Sequence, residues 1–134
     1  MCGITAILAF KDKYLLKKCI LEKMAQQINH RGPDDEGYYL NDWIGFGFKR
    51  LSIIDISYSG HQPMFDITKN YVIVFNGEIY NYKTLRDVLI KKNYKFKSNT
   101  DTEVLLNSYI KWGTSCFQKL EGMFAKKRLL FFWQ

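Results

Sequence analysis

Apolar residues in the first part of the chain are spaced first as in a strand and then as in a helix. Residues 3–10 are apolar and β-rich, which predicts a buried first strand. Between Tyr14 and Ile28, apolar residues recur at helical spacing with lysines between them, which predicts an amphipathic helix with Cys19 in its apolar stripe. Glycine and proline interrupt this pattern at 30–37, where a loop is predicted.

The middle of the chain predicts β structure. Short strands at about 37–40 and 43–48 flank an Asn41-Asp42 turn, and this arrangement predicts a hairpin. A second loop is predicted at Ser57–Thr68, which contains glycine and proline. The apolar run Tyr71–Phe75 predicts another buried strand.

Further along, two helices and a strand are predicted. Thr84–Lys92 has apolar residues on one helical face, and Tyr94–Lys97 has the composition of a short strand. Thr100 and Glu103 form a capping-box pattern, so a helix should begin near Asp101 and end by Gly113. Because strands and helices do not alternate as regular βαβ units, the fold class that the sequence favours is α+β.

Composition limits the broad class of protein. The chain has 134 residues, of which 47% are hydrophobic and 25% charged, and this is sufficient for one folded domain and unlike a disordered or collagen-like chain. Its net charge of +7 is compatible with a nucleic-acid partner, but such a charge also keeps a protein in solution. The lysine-rich stretches 11–18, 91–97 and 126–128 are interpreted as solvated faces.

The cysteines and histidines do not form a metal-binding or disulfide pattern. Cys2, Cys19 and Cys116 are far apart, and with His30 and His61 they do not have the spacing of a zinc site. We therefore expect no metal, a reducing cytoplasmic location, a structural Cys116 and a surface position for His61. The apolar runs at the two ends are too short to span a membrane.

Cys2 is a candidate nucleophile. Removal of Met1 would join a thiol and a free α-amino group through one Cα, and such an amine has an ordinary pKa of about 7.7–8.0. The amine could therefore act as the general base for its own thiol, as in N-terminal nucleophile enzymes. The alternative is that position 2 is simply a small buried residue.

Six short motifs are distributed over most of the chain. In chain order, they are Met1-Cys-Gly-Ile4, His30-Arg-Gly-Pro-Asp34, Arg50-Leu-Ser-Ile-Ile-Asp55, Gln62-Pro-Met64, Phe75-Asn-Gly-Glu-Ile-Tyr-Asn81 and Asn99-Thr-Asp-Thr-Glu-Val104. Together they are similar to the class II glutaminase domain of glutamine-hydrolysing asparagine synthetase, an N-terminal nucleophile hydrolase, over residues 1 to about 125. The resemblance implies a four-layer αββα sandwich of two antiparallel sheets between helices, incomplete at the C-terminus.

The resemblance also implies catalytic roles. Cys2 matches the nucleophile that attacks the side-chain amide carbon of L-glutamine. Asn76, through its side-chain amide, and Gly77, through its backbone N–H, match the oxyanion hole. From the residues alone, an Asn-Gly pair after a predicted strand indicates a tight turn suited to positive φ. An ordinary turn without a catalytic role is the alternative for this pair.

Binding roles follow from the same resemblance. Arg50 matches the residue that pairs with the glutamine α-carboxylate, although by itself it could be a solvated charge at a strand edge. Glu78 and Asp101 match residues around the α-amino group, and the loop His30–Asp34 is expected to support the pocket without a catalytic histidine. Backbone and apolar contacts to glutamine are expected from Leu51, Ser52, Ile53 and Ile54.

The family pattern is expected to break near the C-terminus. Residues 1–125 match the glutaminase domain, whereas 126–134 form a divergent tail where the family continues with further strands. This difference predicts a truncated or frameshifted product. The family's synthetase domain, which uses ATP and magnesium, is expected to be absent, because its Ser-Gly-Gly-x-Asp-Ser motif does not occur.

Three functional hypotheses therefore remain. The first is a glutaminase domain that forms glutamate and ammonia, needs no cofactor of its own and acts with a synthetase domain in asparagine biosynthesis. The second is a non-catalytic fragment of that enzyme. The third is a basic domain that binds nucleic acid through 91–97, with Tyr94 and Phe96 as stacking residues. The first hypothesis involves no membrane and no nucleic acid, and it leaves a homodimer open.

Overall fold

The structure, a computed structural model, describes residues 2–9, 16–53, 55–124 and 130–133, with side chains described up to Phe124. Its contacts divide the chain into two compact units. The first unit comprises the residues up to Ser52 together with His61–Pro63. The second comprises Ile53–Gly60 and the residues from Met64 onwards.

Within the described part of the first unit, an antiparallel sheet contains β1 (Gly3–Leu8), β2 (Asp35–Leu40) and β3 (Ile44–Arg50), with β3 in the centre. This confirms the predicted hairpin and the existence of the first strand, which ends at Leu8 and not at the predicted residue 10; Phe10 lies outside the described residues. The Asn41 side-chain oxygen accepts hydrogen bonds from the N–H groups of Trp43 and Ile44, both at 2.9 Å, and so fixes the hairpin turn. β2 begins inside the predicted loop, because Asp35 pairs with Arg50 at the far end of the hairpin.

The helix of the first unit, α1 (Lys18–Gln27), is shorter than predicted. Leu16 and Lys17 precede it, and Tyr14 and Leu15 lie outside the described residues. Leu21 and Ala25 are its buried residues, one turn apart on the face that packs against β3.

Cys19 does not lie in the apolar stripe of α1, as the sequence predicted, but is exposed. It precedes Leu21 by two residues, which corresponds to a rotation of about 200° around the helix. The buried face runs through Leu21 and Ala25, with Ile20 and Met24 half-buried beside them, so Cys19 falls outside it.

The second unit contains two small sets of paired strands among its described residues. β4 (Met64–Phe65), β5 (Tyr71–Val74) and β8 (Leu130–Trp133) form one antiparallel sheet with β5 in the centre, while β6 (Glu78–Ile79) pairs with β7 (Gly122–Met123). The strand predicted at Tyr71–Phe75 is thus confirmed. The loop predicted at 57–68 is partly wrong, because it contains a 3₁₀ turn at Tyr58–Gly60 and the strand β4.

The helices of the second unit are α2 (Tyr82–Ile90) and α3 (Asp101–Trp112), close to their predicted positions. The strand predicted at Tyr94–Lys97 is not formed. There, the Lys97 N–H donates to the Glu103 carboxylate at 2.8 Å, and the Arg86 guanidinium lies 4.2 Å from the centre of the Phe96 ring. The segment therefore packs beside the helices and not in a ladder.

The core of the second unit lies between its strands and α3. Its main cluster contains apolar residues from β4, β5, β6 and α3, and a smaller cluster joins α2 to α3. The main cluster is formed by Met64, Ile73, Phe75, Ile79, Leu105 and Leu106, and the smaller one by Leu85, Leu89 and Val104.

Together, the elements confirm the α+β class with antiparallel sheets. The four-layer arrangement stays a prediction. Among the described residues, no helix has the length and apolar character needed to cross a membrane.

The Thr100 cap should contribute measurably to stability. Its hydroxyl accepts the Glu103 N–H at 3.2 Å, as the capping-box pattern predicted. Thr100→Ala removes this acceptor and should lower the free energy of unfolding by about 1 kcal/mol in urea denaturation. Thr100→Ser keeps the acceptor and serves as the control. Equal stability of the alanine variant and the parent would contradict the assignment of the cap.

Candidate functional site

The candidate nucleophile, Cys2, is held beside the end of β3. Gly3 pairs with Lys49, so Cys2 is next in register to Arg50. The Leu51 N–H donates to the Cys2 sulfur, with 3.3 Å between N and Sγ. The thiol in turn faces the Leu51 carbonyl oxygen at 3.6 Å. The half-buried thiol is therefore fixed by the backbone that follows β3, and this is the first part of the candidate site.

The loop that precedes β2 supports the same backbone. Arg31 Nε donates to the Cys2 carbonyl oxygen at 3.2 Å, and Asp34 Oδ2 accepts the Ser52 N–H at 2.7 Å. Gly32 permits the close approach, because a Cβ there would lie only 2.4 Å from the Lys49 carbonyl oxygen. These contacts agree with the supporting role expected for His30–Asp34. The contact between Arg31 and Cys2 itself was not anticipated from the sequence.

Arg50 is 7% exposed although it carries a full charge. It ends the central strand of its sheet, so the alternative of a solvated charge at a strand edge is wrong. Its carbonyl oxygen accepts the Asp34 N–H at 3.1 Å. Its planar guanidinium carries N–H donors that match a carboxylate, which makes this residue type suited to holding an anionic group.

The remaining residues of the predicted glutamine-binding run differ in their surroundings. Leu51 and Ser52 are half-buried in the first unit, while Ile53 is 70% exposed in the second. Ile54 and Met1 lie outside the described residues.

The Asn76-Gly77 pair follows β5 in the second unit, and its backbone does not have the positive φ that the sequence suggested. The glycine is explained by packing instead. A Cβ on Gly77 would lie 2.7 Å from Phe124 Cβ and 2.9 Å from the Met123 carbonyl oxygen. Residues Gly122–Phe124 thus lie directly against the turn. Sequence reasoning missed their contribution, since a strand of two residues shows no periodicity.

Asp101 lies in the first turn of α3 and is 5% exposed. Its Oδ2 accepts the Ile79 N–H at 3.0 Å, which links α3 to β6. Burial raises the pKa of the Asp101 carboxyl; the hydrogen bonds from Ile79 and from the start of α3 oppose this rise, and the charge of Glu78 adds to it. Glu78 and Asp101 are therefore neighbouring carboxylates, an arrangement that suits a cationic group.

Two other sequence expectations concern residues outside these groups. His61 is not a surface residue but half-buried, with Nδ1 2.7 Å from Asp35 Oδ2. Cys116 is fully buried, and burial raises the pKa of its thiol to about 11, in keeping with a structural role. Within the residues described by the structure, no group of three or more His, Cys, Asp or Glu side chains could hold a metal ion.

Comparison with known proteins identifies the family. The family model described as a glutamine amidotransferase domain matches residues 1–129. Asparagine synthetase [glutamine-hydrolyzing] 1 of Bacillus subtilis is 44% identical in an alignment of 130 positions, gaps included, that covers 93% of this chain and 20% of that protein. Asparagine synthetase [glutamine-hydrolyzing] 1 of Arabidopsis thaliana is 38% identical over 125 residues, 93% of this chain and 21% of that protein.

Another relative, a putative asparagine synthetase [glutamine-hydrolyzing] 2 of Methanocaldococcus jannaschii, is 38% identical in an alignment of 155 positions, gaps included, that covers 98% of this chain and 29% of that protein. The chain spans about a fifth of the length of the first two relatives. The matched region nevertheless includes the segments that hold Cys2, Arg50, Asn76 and Asp101. The chain therefore belongs to the glutamine amidotransferase domain family.

Proposed function

We propose that this chain hydrolyses L-glutamine to glutamate and ammonia through a thioester on Cys2. The observation that carries the proposal is the pair of contacts that holds the Cys2 thiol against the Leu51 backbone at the end of β3. Glutamine is the proposed substrate because the relatives are named as glutamine-hydrolysing enzymes. A fixed thiol beside a buried cationic side chain suits nucleophilic attack on an amino-acid substrate.

The proposed reaction begins with removal of Met1. The free α-amine of Cys2 accepts the thiol proton, and the thiolate attacks the side-chain amide carbon of glutamine. The tetrahedral oxyanion collapses as the protonated amine gives its proton to the departing nitrogen, so that ammonia leaves and a glutamyl thioester remains. Water, activated by the same amine, then hydrolyses the thioester and releases glutamate. Thiol and amine suffice for every step, and none requires a metal or cofactor.

Oxyanion stabilisation is assigned to the turn that follows β5. The Asn76 side-chain amide and the Gly77 backbone N–H are the proposed donors. The packing of Gly122–Phe124 against Gly77 supports this role, because donors that are fixed before the reaction need not reorganise as charge develops.

Recognition of glutamine is assigned to charged groups of opposite sign. Arg50 is proposed to pair with the α-carboxylate, and Asp101 with Glu78 to bind the α-ammonium group. Leu51, Ser52, Ile53 and Ile54 are proposed to add backbone and apolar contacts. The burial of Arg50 and of Asp101 supports the proposal, since an ion pair is stronger when water is excluded.

In the whole enzyme, we propose that the ammonia passes to a synthetase domain that makes asparagine from aspartate with ATP and magnesium, in the cytoplasm. Membrane and nucleic acid have no role in this proposal, and a homodimer is open to measurement by sedimentation. The second candidate is a non-catalytic fragment of the same enzyme.

Cys2→Ala should abolish glutamine hydrolysis, since alanine offers no nucleophile. An electrophilic glutamine analogue should label the parent at Cys2, and intact mass should show that the labelled chain lacks Met1. The matched control is Cys19→Ala, because Cys19 is an exposed thiol on α1. Hydrolysis by Cys2→Ala at the parent rate, or full retention of Met1 in active protein, would refute the mechanism. A parent that neither hydrolyses glutamine nor becomes labelled would establish the non-catalytic alternative.

Asn76→Ala should reduce kcat by roughly 10²–10³, because one oxyanion donor is lost while the nucleophile remains. KM should change little, since the proposed donor acts on the charge that develops during reaction. Steady-state kinetics of glutamine hydrolysis measures both values. Asn70→Ala, at an exposed loop position before β5, is the control. A change in KM alone would assign Asn76 to substrate binding.

Asp101→Asn should weaken glutamine binding but stabilise the fold at neutral pH. The raised pKa means that the folded state favours the neutral form of the Asp101 carboxyl. The stability that this preference gives to the parent is fully present below the ordinary pKa of 3.8 and is lost as pH rises through the raised pKa. Asparagine keeps an oxygen for the Ile79 N–H without a charge. Its advantage in thermal unfolding should therefore be present above the raised pKa and vanish below 3.8.

Calorimetric titration with glutamine measures the binding half of this prediction. Asp87→Asn, at an exposed position on α2, is the control for removal of one negative charge. Glutamine binding by Asp101→Asn that equals the parent's would show that Asp101 does not recognise the ammonium group.

A further inference from the structure

One carboxylate of the second unit connects two segments that are distant in the sequence. Asp55 Oδ1 accepts the Ser57 N–H at 2.9 Å, and Asp55 Oδ2 accepts the Asn99 N–H at 3.1 Å. The second contact joins residues separated by 44 positions. Both carboxylate oxygens thus accept backbone N–H groups, and hydrogen bonds to an ionised group are stronger than those between neutral groups.

The Asn99 end of this connection leads directly to Asp101. Thr100 caps α3, and Asp101 is the first residue of the helix. The preceding residues are also held from within the helix, because the Glu103 carboxylate accepts the N–H groups of Lys97 at 2.8 Å and Ser98 at 2.7 Å. Asp55 therefore fixes this already ordered turn relative to a different part of the second unit.

The other end of the connection is the segment that begins at Ile53. Ile53 belongs to the run assigned to glutamine contacts, and Asp55 follows it by two residues in the same unit. The bond from Asn99 thus holds the start of α3 at Asp55, two residues after Ile53. A group that binds a small substrate has to keep a fixed position, and an error of about 1 Å can cost roughly 10²-fold in rate.

We propose that Asp55 is a positioning residue that holds Asp101 at the place where it binds the substrate's α-ammonium group. The inference rests on the proposed function and extends it. Asp55 does not touch the substrate in this proposal; it acts through the Asn99 backbone and the first turn of α3. Its consequence is selectivity for amino acids that carry a free α-amino group over analogues that lack it.

The experiment compares Asp55→Ala with Asp66→Ala. Asp66 is a matched control, because it also accepts backbone N–H groups in the second unit, from Thr68 at 2.8 Å and Tyr71 at 2.7 Å. Both variants lose a carboxylate that orders a loop, so both should lose stability in thermal unfolding. Asp55 alone of the two is bonded to the segment that starts α3.

The readout is the rate at which Cys2 is labelled by two reagents. Labelling by an electrophilic glutamine analogue requires recognition of the amino-acid end, whereas labelling by iodoacetamide does not. Asp55→Ala should slow the analogue by roughly 10- to 100-fold while iodoacetamide labelling stays at the parent rate. Asp66→Ala should leave the ratio of the two rates unchanged. Asp55→Asn, which keeps one acceptor oxygen, should lie between the parent and Asp55→Ala.

A second measurement separates positioning from a general loss of structure. The second measurement compares glutamine with a hydrolysable glutamine analogue that lacks the α-amino group. Asp55→Ala should bring the two kcat/KM values closer together, mainly through a higher KM for glutamine. An unchanged ratio of labelling rates in Asp55→Ala, or an equal change in Asp66→Ala, would overturn the inference. A parent that the glutamine analogue does not label at Cys2 would instead refute the proposed function, and the role of Asp55 with it.

Discussion

The register between β1 and β3 is the constraint on which the first half of the candidate site depends. Pairing of Gly3 with Lys49 places Cys2 beside the backbone that follows β3, where the Leu51 N–H reaches its sulfur. A slip of one residue would turn the side chains of β1 to the opposite face of the sheet. The central position of β3 protects this register, because β2 pairs with the other edge of β3 as far as Arg50.

Much of the fold could be predicted wherever local chemistry decides the conformation. The hairpin turn depends on the Asn41 side chain and the start of α3 on the Thr100 hydroxyl, and both lie within four residues of the groups that they bind. The strand predicted at Tyr94–Lys97 does not form, and the Lys97 N–H donates to the Glu103 carboxylate on α3. The pairing of β6 with β7 was missed because it depends on chain segments more than 40 residues apart.

The candidate site shows the same division between local and tertiary information. Motifs identified the charged residues, but the surroundings of each residue became clear only in the folded chain. The burial of Arg50 comes from the central position of its strand, and that of Asp101 from a helix start packed beneath β6. A side chain at Gly77 would collide with Phe124, which explains the glycine, whereas the sequence suggested that the glycine was needed for a positive φ.

The hydrogen bond from Ile79 to Asp101 connects two tasks of the proposed site. Ile79 follows Gly77 by two residues, so one short backbone stretch carries a proposed oxyanion donor and a direct bond to the proposed ammonium-binding carboxylate. In the proposed mechanism, a substrate that binds to Asp101 therefore affects the backbone at 77–79, which must be in place when charge develops on the amide oxygen. Binding energy from the non-reacting end of glutamine can in this way be used to order the reacting end.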